Sequence, residues 1–286
     1  MKSKNITLPI LLYVVLAFVS GCQGCGVSIP DSPDGTVAVV ATQLEKGNPQ
    51  IVWQALPKTY QSDINGLVQQ FAGKMDPELW DKGFAVAGKL TEVAKEKKEF
   101  ILASPMVGQL QVKKEDLAKH WDSVVALLEV LVKSELSSLD DLKKFDGGSF
   151  LSGTGKDLFE KGKELKTLAP EDAPKSFADM KVEKVNEKEN SAMLKITFDG
   201  KTESLEMAKV EERWIPKDIA GDWKDIIAEA KKGIDEISGE QMTKSKPQIL
   251  MMIAGIDAGL DQLKNAKTQA EFDAVVQGIL MGGLMH

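Results

Sequence analysis

The spacing of apolar residues changes once along the chain, and this change constrains the fold more than any other feature. Between residues 180 and 215 apolar and polar side chains alternate, which is the period of a half-buried β-strand. Asp199-Gly200 interrupts the alternation and is a strong signal for a two-residue hairpin turn. We therefore predict three or four antiparallel strands here. One face of this sheet is expected to be covered by helices, and it carries Leu194, Ile196, Phe198, Leu205 and Trp214.

Outside this stretch, apolar residues recur at steps of three and four, which is the period of an amphipathic helix. Asp76-Pro77 offers a helix cap followed by proline at the first helical position, and Thr268 with Glu271 has the spacing of a capping box. The predicted fold class is α+β, predominantly helical with one small antiparallel β-meander at about residues 180–215. Gly147-Gly148 is predicted to separate two short helices. The predicted helices span residues 36–47, 51–56, 58–74, 77–95, 113–136, 138–145, 155–168, 219–237, 247–263 and 268–284.

The first 22 residues have the three parts of a bacterial export signal. Lys2 and Lys4 supply a positive start, and an apolar run from residue 6 to residue 19 follows. This run is too short to span a bilayer comfortably, since spanning takes about 20 apolar residues in a helix. Val19-Ser20-Gly21-Cys22 resembles the lipobox of bacterial lipoproteins, in which an aliphatic residue and two small residues precede the cysteine.

The lipobox resemblance implies a diacylglyceryl group on the Cys22 thiol, cleavage before Cys22, and usually acylation of the new amino terminus. Two or more acyl chains give stable membrane attachment. The alternative is that Cys22 and Cys25 form a redox or metal pair. That chemistry needs a thioredoxin-like βαβ context or two further zinc ligands, and these two are the only cysteines in the chain. We therefore favour lipidation of Cys22, with Cys25 as a spare thiol near the membrane.

The leader and the change of period divide the chain into four stretches. Residues 1–21 are the predicted signal peptide and residues 22–34 a tether, whose 12 residues after Cys22 would reach on the order of 40 Å if fully extended. Residues 35–170 form a helical region. Residues 171–286 hold the β-meander followed by C-terminal helices, and can form one domain with the preceding region. No cysteine follows Cys25, so the stability of the body must come from burial of its core.

The charge balance bears on the partners of the protein. The full chain carries 36 Lys and Arg against 43 Asp and Glu, and removing Lys2 and Lys4 with the leader leaves 34 against 43, a formal charge of −9. An acidic body argues against binding to nucleic acid, whose phosphates require a basic face. It also argues against attraction to anionic lipid by charge. The expected partners are the membrane, through the N-terminal lipid, and an envelope protein, with no nucleic acid.

Histidine-dependent catalysis has little support in the sequence, because His120 and His286 are the only histidines. Nucleophilic catalysis through a Ser-His or Cys-His pair needs a positioned imidazole. His120 shares a helical line with Val124 and Leu131, which favours a partly buried structural histidine over a catalytic one. A histidine-rich zinc site is equally unsupported. We predict no catalytic, cofactor-binding or metal-binding residues, and Cys22 as the single modified residue.

Paired carboxylates leave a paired-acid hydrolase as an alternative. Neighbouring carboxylates are expected to point apart or to lie solvated. Asp257 and Asp261 are four residues apart and share a helical face, where they repel each other unless a cation or Lys264 lies between them. A solvated face is the favoured interpretation. The visible pairs are Asp140-Asp141, Glu211-Glu212, and Asp257 with Asp261.

Glycines contribute two weaker motifs. Gly255 and Gly259 form a small-xxx-small pair that lets another helix approach closely, and intramolecular packing is the favoured outcome in water. Gly153-Thr154-Gly155-Lys156 lacks the full spacing of a phosphate-binding P-loop and a preceding strand. The five Trp are interpreted as core and sheet-cover residues.

The strands offer a second resemblance. Alternating strands joined by Asp199-Gly200 and closed by Arg213-Trp214-Ile215 are similar to the last strands of small exported domains with the NTF2-like or cystatin-like α+β fold. The resemblance implies a curved sheet wrapped around a helix, often with a conical pocket that binds a small ligand or a partner.

These patterns together predict a lipid-anchored lipoprotein of the cell envelope, exported and facing the periplasm or the cell exterior, with a non-catalytic binding or structural role. The alternative is an envelope enzyme or small-ligand binder with a carboxylate-lined pocket between sheet and helices. Convergent carboxylates with a raised pKa in a concave apolar site would favour this alternative.

Overall fold

The computed structural model describes residues 27–109, 113–165 and 176–284, and within them the chain forms twelve α-helices and four β-strands. Two short 3₁₀ helices lie at Pro105–Gln109 and Glu135–Ser137. The predicted fold class, predominantly helical α+β with one antiparallel sheet, is confirmed. The helices are α1 (Pro33–Glu45), α2 (Gln50–Ala55), α3 (Lys58–Lys74), α4 (Pro77–Glu96), α5 (Lys98–Ala103), α6 (Lys114–Val132), α7 (Leu139–Leu142), α8 (Gly147–Ser152), α9 (Thr154–Glu164), α10 (Lys217–Asp235), α11 (Gly239–Asn265) and α12 (Gln269–Leu284).

The sheet is a meander in which each strand pairs antiparallel with the next along the chain. Asp199 and Gly200 form the turn between the second and third strands, and both have a positive φ, of 49° and 74°. This is the backbone of a two-residue hairpin turn, for which Asp-Gly is a preferred sequence. The strands are β1 (Lys181–Lys188), β2 (Ser191–Phe198), β3 (Lys201–Val210) and β4 (Arg213–Pro216).

One face of the sheet is buried, as predicted. Leu194 pairs with Leu205 and Lys209 pairs with Trp214, so these four residues lie on the same face. Leu194 is fully buried and Trp214 is 2% exposed. Val37 of α1 packs against this face, which makes α1 a helix that covers the sheet.

The chain separates into two compact units, each assembled from distant stretches. Of the residues that the structure describes, the first unit contains 27–69, 144–160 and 176–234, and the second contains 70–109, 113–143, 161–165 and 235–284. Each unit contains residues from both sides of the division at residues 170 and 171 that the sequence suggested. The reason is that the meander packs with α1 near the chain start, whereas α11 packs with α4.

The first unit contains a second apolar cluster that also depends on α1. Leu44 near the end of this helix is buried together with Ile51 and Val52 of α2. Val37 and Leu44 are seven residues apart, which is close to two helical turns. Helix α1 therefore supplies residues to both apolar clusters of this unit.

Gly147 and Gly148 begin α8 instead of separating two helices, which corrects the prediction made from the sequence. A Cβ atom at residue 147 would overlap the indole ring of Trp53, and one at residue 148 would lie 3.2 Å from the indole nitrogen. The two glycines therefore provide the flat surface on which Trp53 lies. Asp146 caps the helix by accepting a hydrogen bond from Ser149 N at 2.8 Å, and the hydrogen bonds to its carboxylate lower its pKa.

The second unit is organised around α4. Ala94 of this helix is buried with Leu117, Trp121 and Val125 of α6. The preceding residue, Val93, is buried in a different cluster, which it shares with residues of α11 and α12. That cluster contains Leu260, Leu263, Ala266 and Phe272.

Two helix boundaries in this unit differ from the sequence-based prediction. Helix α11 begins at Gly239, eight residues before Pro247, so the proline lies inside the helix and not at its start. Lys246, which precedes it, pairs with Asp76 at 2.9 Å, and this contact holds the additional turns against α4. Helix α6 ends at Val132 and is followed by a 3₁₀ turn.

Gly147→Ala should lower the free energy of unfolding by about 1–3 kcal/mol, the usual cost of forcing an extra methyl group into a packed site. Gly66→Ala is the matched control, because Gly66 lies within α3 and its added Cβ would contact no atom within 4 Å. This control should be stabilising by up to about 1 kcal/mol, as alanine is the better helix former. Urea denaturation measures both values. Equal effects of the two substitutions would contradict the packing of Trp53 on Gly147.

Candidate functional site

Cys22, the predicted lipidation site, lies outside the described residues, as do Cys25 and His286. The described residue nearest to Cys22 in the sequence is Val27, so the segment that begins there shows how the chain continues after the predicted lipidation site. This segment runs from residue 27 to residue 32 and leads into α1.

The segment is packed against the first unit. Val27 and Ile29 contact the cluster that contains Leu44. The Thr36 hydroxyl donates a hydrogen bond of 3.0 Å to the carbonyl oxygen of Pro30. Ser32 caps α1 by accepting a hydrogen bond from Gly35 N at 3.1 Å. Each of these contacts involves the stretch 22–34 that the sequence suggested as a tether.

Residues 27–34 of the predicted tether are consequently part of the folded first unit. Helix α1 already begins at Pro33, and Asp31 pairs with Lys209 of β3 at 2.8 Å. Apolar side chains at residues 27 and 29 find buried partners, which the Gly, Ser and Pro content of this stretch did not reveal. Five steps along the chain join Cys22 to Val27, and they span roughly 18 Å at most.

The neighbouring carboxylates Asp140-Asp141 and Glu211-Glu212 do not form shared sites. Lys143 donates to Asp140 at 2.9 Å, and Asp141 is exposed. Glu211 reaches α3, where it accepts hydrogen bonds from Thr59 N at 3.1 Å and from the Thr59 hydroxyl at 2.6 Å. These bonds lower the pKa of Glu211. Its neighbour Glu212 turns to Lys209 at 3.2 Å.

Asp257 and Asp261 share a cation, but the cation is Lys89 of α4 and not Lys264. The Lys89 Nζ lies 2.6 Å from an Asp257 oxygen and 2.9 Å from an Asp261 oxygen. The sequence indicated that this helical face needed a positive charge. The source of that charge lies on another helix, so local spacing could not identify it.

The Lys89 bridge is one of three similar bridges between α4 and α11. Lys246 pairs with Asp76 and Glu78 at 2.9 and 3.0 Å, and Lys264 pairs with Glu92 and Glu96 at 2.8 and 3.5 Å. The bridged positions advance in the same direction along both helices, so α4 and α11 run parallel. We call this set of ion pairs the lysine ladder.

The ladder stabilises the charged form of its members. Hydrogen bonds to two carboxylates raise the pKa of Lys89 and of Lys246. Hydrogen bonds from Lys246 and from Leu79 N lower the pKa of Asp76, and a hydrogen bond from Lys264 lowers that of Glu92. Among the described residues, each carboxyl group with a shifted pKa has a lowered one: Asp76, Glu92, Glu129, Asp146, Glu164 and Glu211. A general acid requires the opposite shift.

An open concavity of about 230 Å³ lies in the second unit. Lys95 and Glu129 on its lining form an ion pair of 3.0 Å, and a hydrogen bond from Lys95 lowers the pKa of Glu129. Trp121 also borders it, with its indole N–H donating to the carbonyl oxygen of Ala94 at 2.9 Å. The concavity is therefore lined by groups that already have partners. Its lining consists of Lys95, Trp121, Asp122, Val125, Ala126 and Glu129.

His120 lies half-buried on α6. Gly153 follows α8 directly, so a helix and not a strand precedes the Gly-Thr-Gly-Lys sequence, and the spatial context of a P-loop is missing.

Within the described ranges, no group of three or more potential ligands is arranged to hold a metal ion. In the same ranges, no helix combines the length and the apolar character needed to cross a bilayer.

Gly259 is the member of the small-xxx-small pair that packs within the protein. A Cβ at this residue would lie 2.7 Å from Ile279 of α12, so the glycine allows α11 and α12 to approach closely. A Cβ at Gly255 would meet no atom within 4 Å, and this glycine is exposed. The two glycines thus have different surroundings.

The five Trp divide into three buried and two half-buried side chains. Trp53, Trp121 and Trp214 are buried. Trp223 stacks on Tyr60 with ring centroids 3.8 Å apart, and burial is the main reason that the pKa of Tyr60 is raised. The indole N–H of Trp80 donates to Leu136.

Comparison with known proteins gives no relative: no family model, no curated protein and no solved structure matches the chain.

Asp76→Asn should destabilise the protein at neutral pH but not in strong acid. The asparagine keeps a side-chain oxygen for Leu79 N but removes the charge that pairs with Lys246. The ordinary pKa of this carboxyl is 3.8 and folding lowers it, so its stabilising charge is present above pH 3.8 and is lost as the pH falls through the folded value. Urea unfolding of both proteins across this range measures the difference.

Two further variants separate the roles of Asp76. Asp76→Ala removes the cap as well as the charge and should be less stable than Asp76→Asn at every pH. Lys246→Met also removes the pair with Glu78, so its loss of stability at neutral pH should be at least as large as that of Asp76→Asn. If the difference in the free energy of unfolding between wild type and Asp76→Asn does not change with pH, the contribution of the ion pair is contradicted.

Proposed function

We propose that this protein is a lipid-anchored lipoprotein of a bacterial cell envelope with a non-catalytic binding or structural role. The single observation that carries the proposal is the sequence Val19-Ser20-Gly21-Cys22, which follows two lysines and an apolar run. The charge of the body is consistent with it, since an acidic protein has no electrostatic attraction to anionic lipid. Attachment would therefore depend on the acyl chains.

The position of Val27 in the fold limits how far the proposed lipid can lie from the folded body. A lipid on Cys22 would be joined to the packed residue Val27 by a connection of roughly 18 Å at most. Val27 and Ile29 are held against the first unit, so this unit would lie close to the headgroups of the membrane that carries it. The full reach of the predicted tether of residues 22–34 would have permitted a much more distant body.

A binding or structural role is supported by the ion pairs and by the lowered pKa values of the carboxyl groups in them. The lysine ladder and the Lys95–Glu129 pair combine cations with carboxylates whose pKa values are lowered. Such pairs fix helices relative to each other. They are not carboxyl groups held protonated for proton transfer.

Replacement of Cys22 tests the anchor. Cells producing the wild-type chain and supplied with labelled fatty acid should incorporate the label into the protein, and Cys22→Ala should abolish incorporation. Cys25→Ala is the matched control, because it removes a thiol three residues away and leaves the lipobox intact. This control should be labelled like the wild type.

The same samples give the location of the protein. The wild type and Cys25→Ala should be released from membranes by detergent only. Fatty-acid labelling that survives Cys22→Ala, or that is lost in Cys25→Ala, would contradict the assignment of Cys22 as the acylated residue.

A further inference from the structure

The outward face of α11 is exposed, and the residues at its centre are apolar. Met251 is 72% exposed and Met252 is 56% exposed, although large apolar side chains are normally placed where another surface covers them. Between Pro247 and Ala258 the exposed residues of this helix carry no charge, because Asp257 turns to Lys89. We call the exposed residues 244–262 of this helix the outer face of α11.

The exposed residues follow the spacing of a helix–helix contact. Positions 244, 248, 251, 255, 258 and 262 are separated by alternating steps of four and three, and all of them are exposed. A repeat of this kind places one side chain after another along a single seam, as in paired helices. Met251, Gly255 and Ala258 form the apolar centre of this seam, and the polar residues Lys244, Gln248 and Gln262 lie toward its ends. In the described part of the second unit, this seam is turned to solvent.

The seam has large residues on one side of its centre and small residues on the other. Met251 and Met252 precede the centre, and Ala254, Gly255 and Ala258 follow it. A side chain on Gly255 would contact no atom within 4 Å, so the space above it is open. A surface with this arrangement is complementary to itself when two copies are related by a two-fold axis.

We propose that the outer face of α11 is the interface between two copies of this chain, paired antiparallel about a two-fold axis near residue 253. Seam residues whose numbers sum to 506 then lie opposite each other, so Met251 of one copy packs over Gly255 of the other. The two copies of Met252 meet on one flank of the seam and the two copies of Ala254 on the other.

The charges at the two ends of the seam agree with this arrangement. Lys244 at one end is exposed, and Asp261 at the other end remains 56% exposed although one of its oxygens pairs with Lys89. An antiparallel pairing brings each Lys244 within about one residue of the other copy's Asp261, which gives two attractive contacts. A parallel pairing would place Lys244 beside Lys244 and Asp261 beside Asp261.

Disulfide trapping tests the geometry in the full-length chain. Met251→Cys and Gly255→Cys are introduced separately into Cys25→Ser protein, given different tags and produced together. Mild oxidation in membranes should join the two tags as a mixed dimer. Gly233→Cys replaces Gly255→Cys in the control pair, because Gly233 is an exposed helical glycine of the first unit with open space above it. This control should give little mixed dimer.

A second variant tests association without cysteines. Gly255→Leu should leave the protomer folded, since residue 255 is exposed and a Cβ there would meet no atom of its own chain within 4 Å, but it should hold two copies apart. Light scattering of the detergent-solubilised protein should then give a mass of one copy for Gly255→Leu and of two copies for the wild type. Gly66→Leu, the same change on an exposed helical glycine of α3, should keep the mass of two copies.

Two results would contradict an antiparallel pair of copies. A wild-type mass of one copy, which is expected if lipid or another protein covers the face, would overturn the proposal. Trapping of Met251→Cys with itself in preference to the mixed pair would indicate a parallel arrangement and would also overturn it. Failure of fatty-acid labelling at Cys22 would leave the mass comparison of the wild type with Gly255→Leu unaffected, because that comparison depends on neither a lipid nor a thiol.

Discussion

Helix α4 must be apolar on two sides, because it packs against α6 on one side and against α11 and α12 on the other. Consecutive residues serve the two sides: Val93 belongs to the cluster with α11 and α12, and Ala94 to the cluster with α6. The polar residues of the same helix form the lysine ladder with α11. The organisation of the second unit therefore depends on this helix, and a substitution on either apolar side would disturb the packing of the helices on that side. With no cysteine after Cys25, burial of this kind replaces disulfides as the source of stability.

In the first unit, α1 likewise packs against two apolar clusters. Val37 packs on the sheet and Leu44 packs with α2, so one helix connects two apolar clusters. The segment before α1 follows it into the second of these clusters through Val27 and Ile29. This continuity matters for the proposed function, because the acyl group would be attached only five residues before the packed chain. The anchor and the folded body are in this account almost adjacent.

The sequence predicted the elements well where local chemistry determines them. The hairpin at Asp199-Gly200, the cap at Asp76 and the bounds of α3 follow from turn propensity, capping and helical period, and the structure agrees. Contacts between distant residues could not be predicted in this way. Nothing near Gly147 indicated that Trp53 would lie on it, and nothing near Asp257 indicated that Lys89 would reach it. The packed segment from residue 27 escaped prediction for the same reason, since two isolated apolar residues become informative only when their partners are known.

The central claim is that the chain matures at Cys22 and carries acyl groups there, directly before the packed body. The most direct test is the mass of the N-terminal peptide of wild-type protein extracted from membranes of the cells that produce it. The account predicts a peptide that begins at Cys22 and is heavier than its amino-acid sequence by a diacylglyceryl group, or by that group and one further acyl chain. A peptide that begins at Met1, or one that begins at any other residue with an unmodified Cys22, would contradict it.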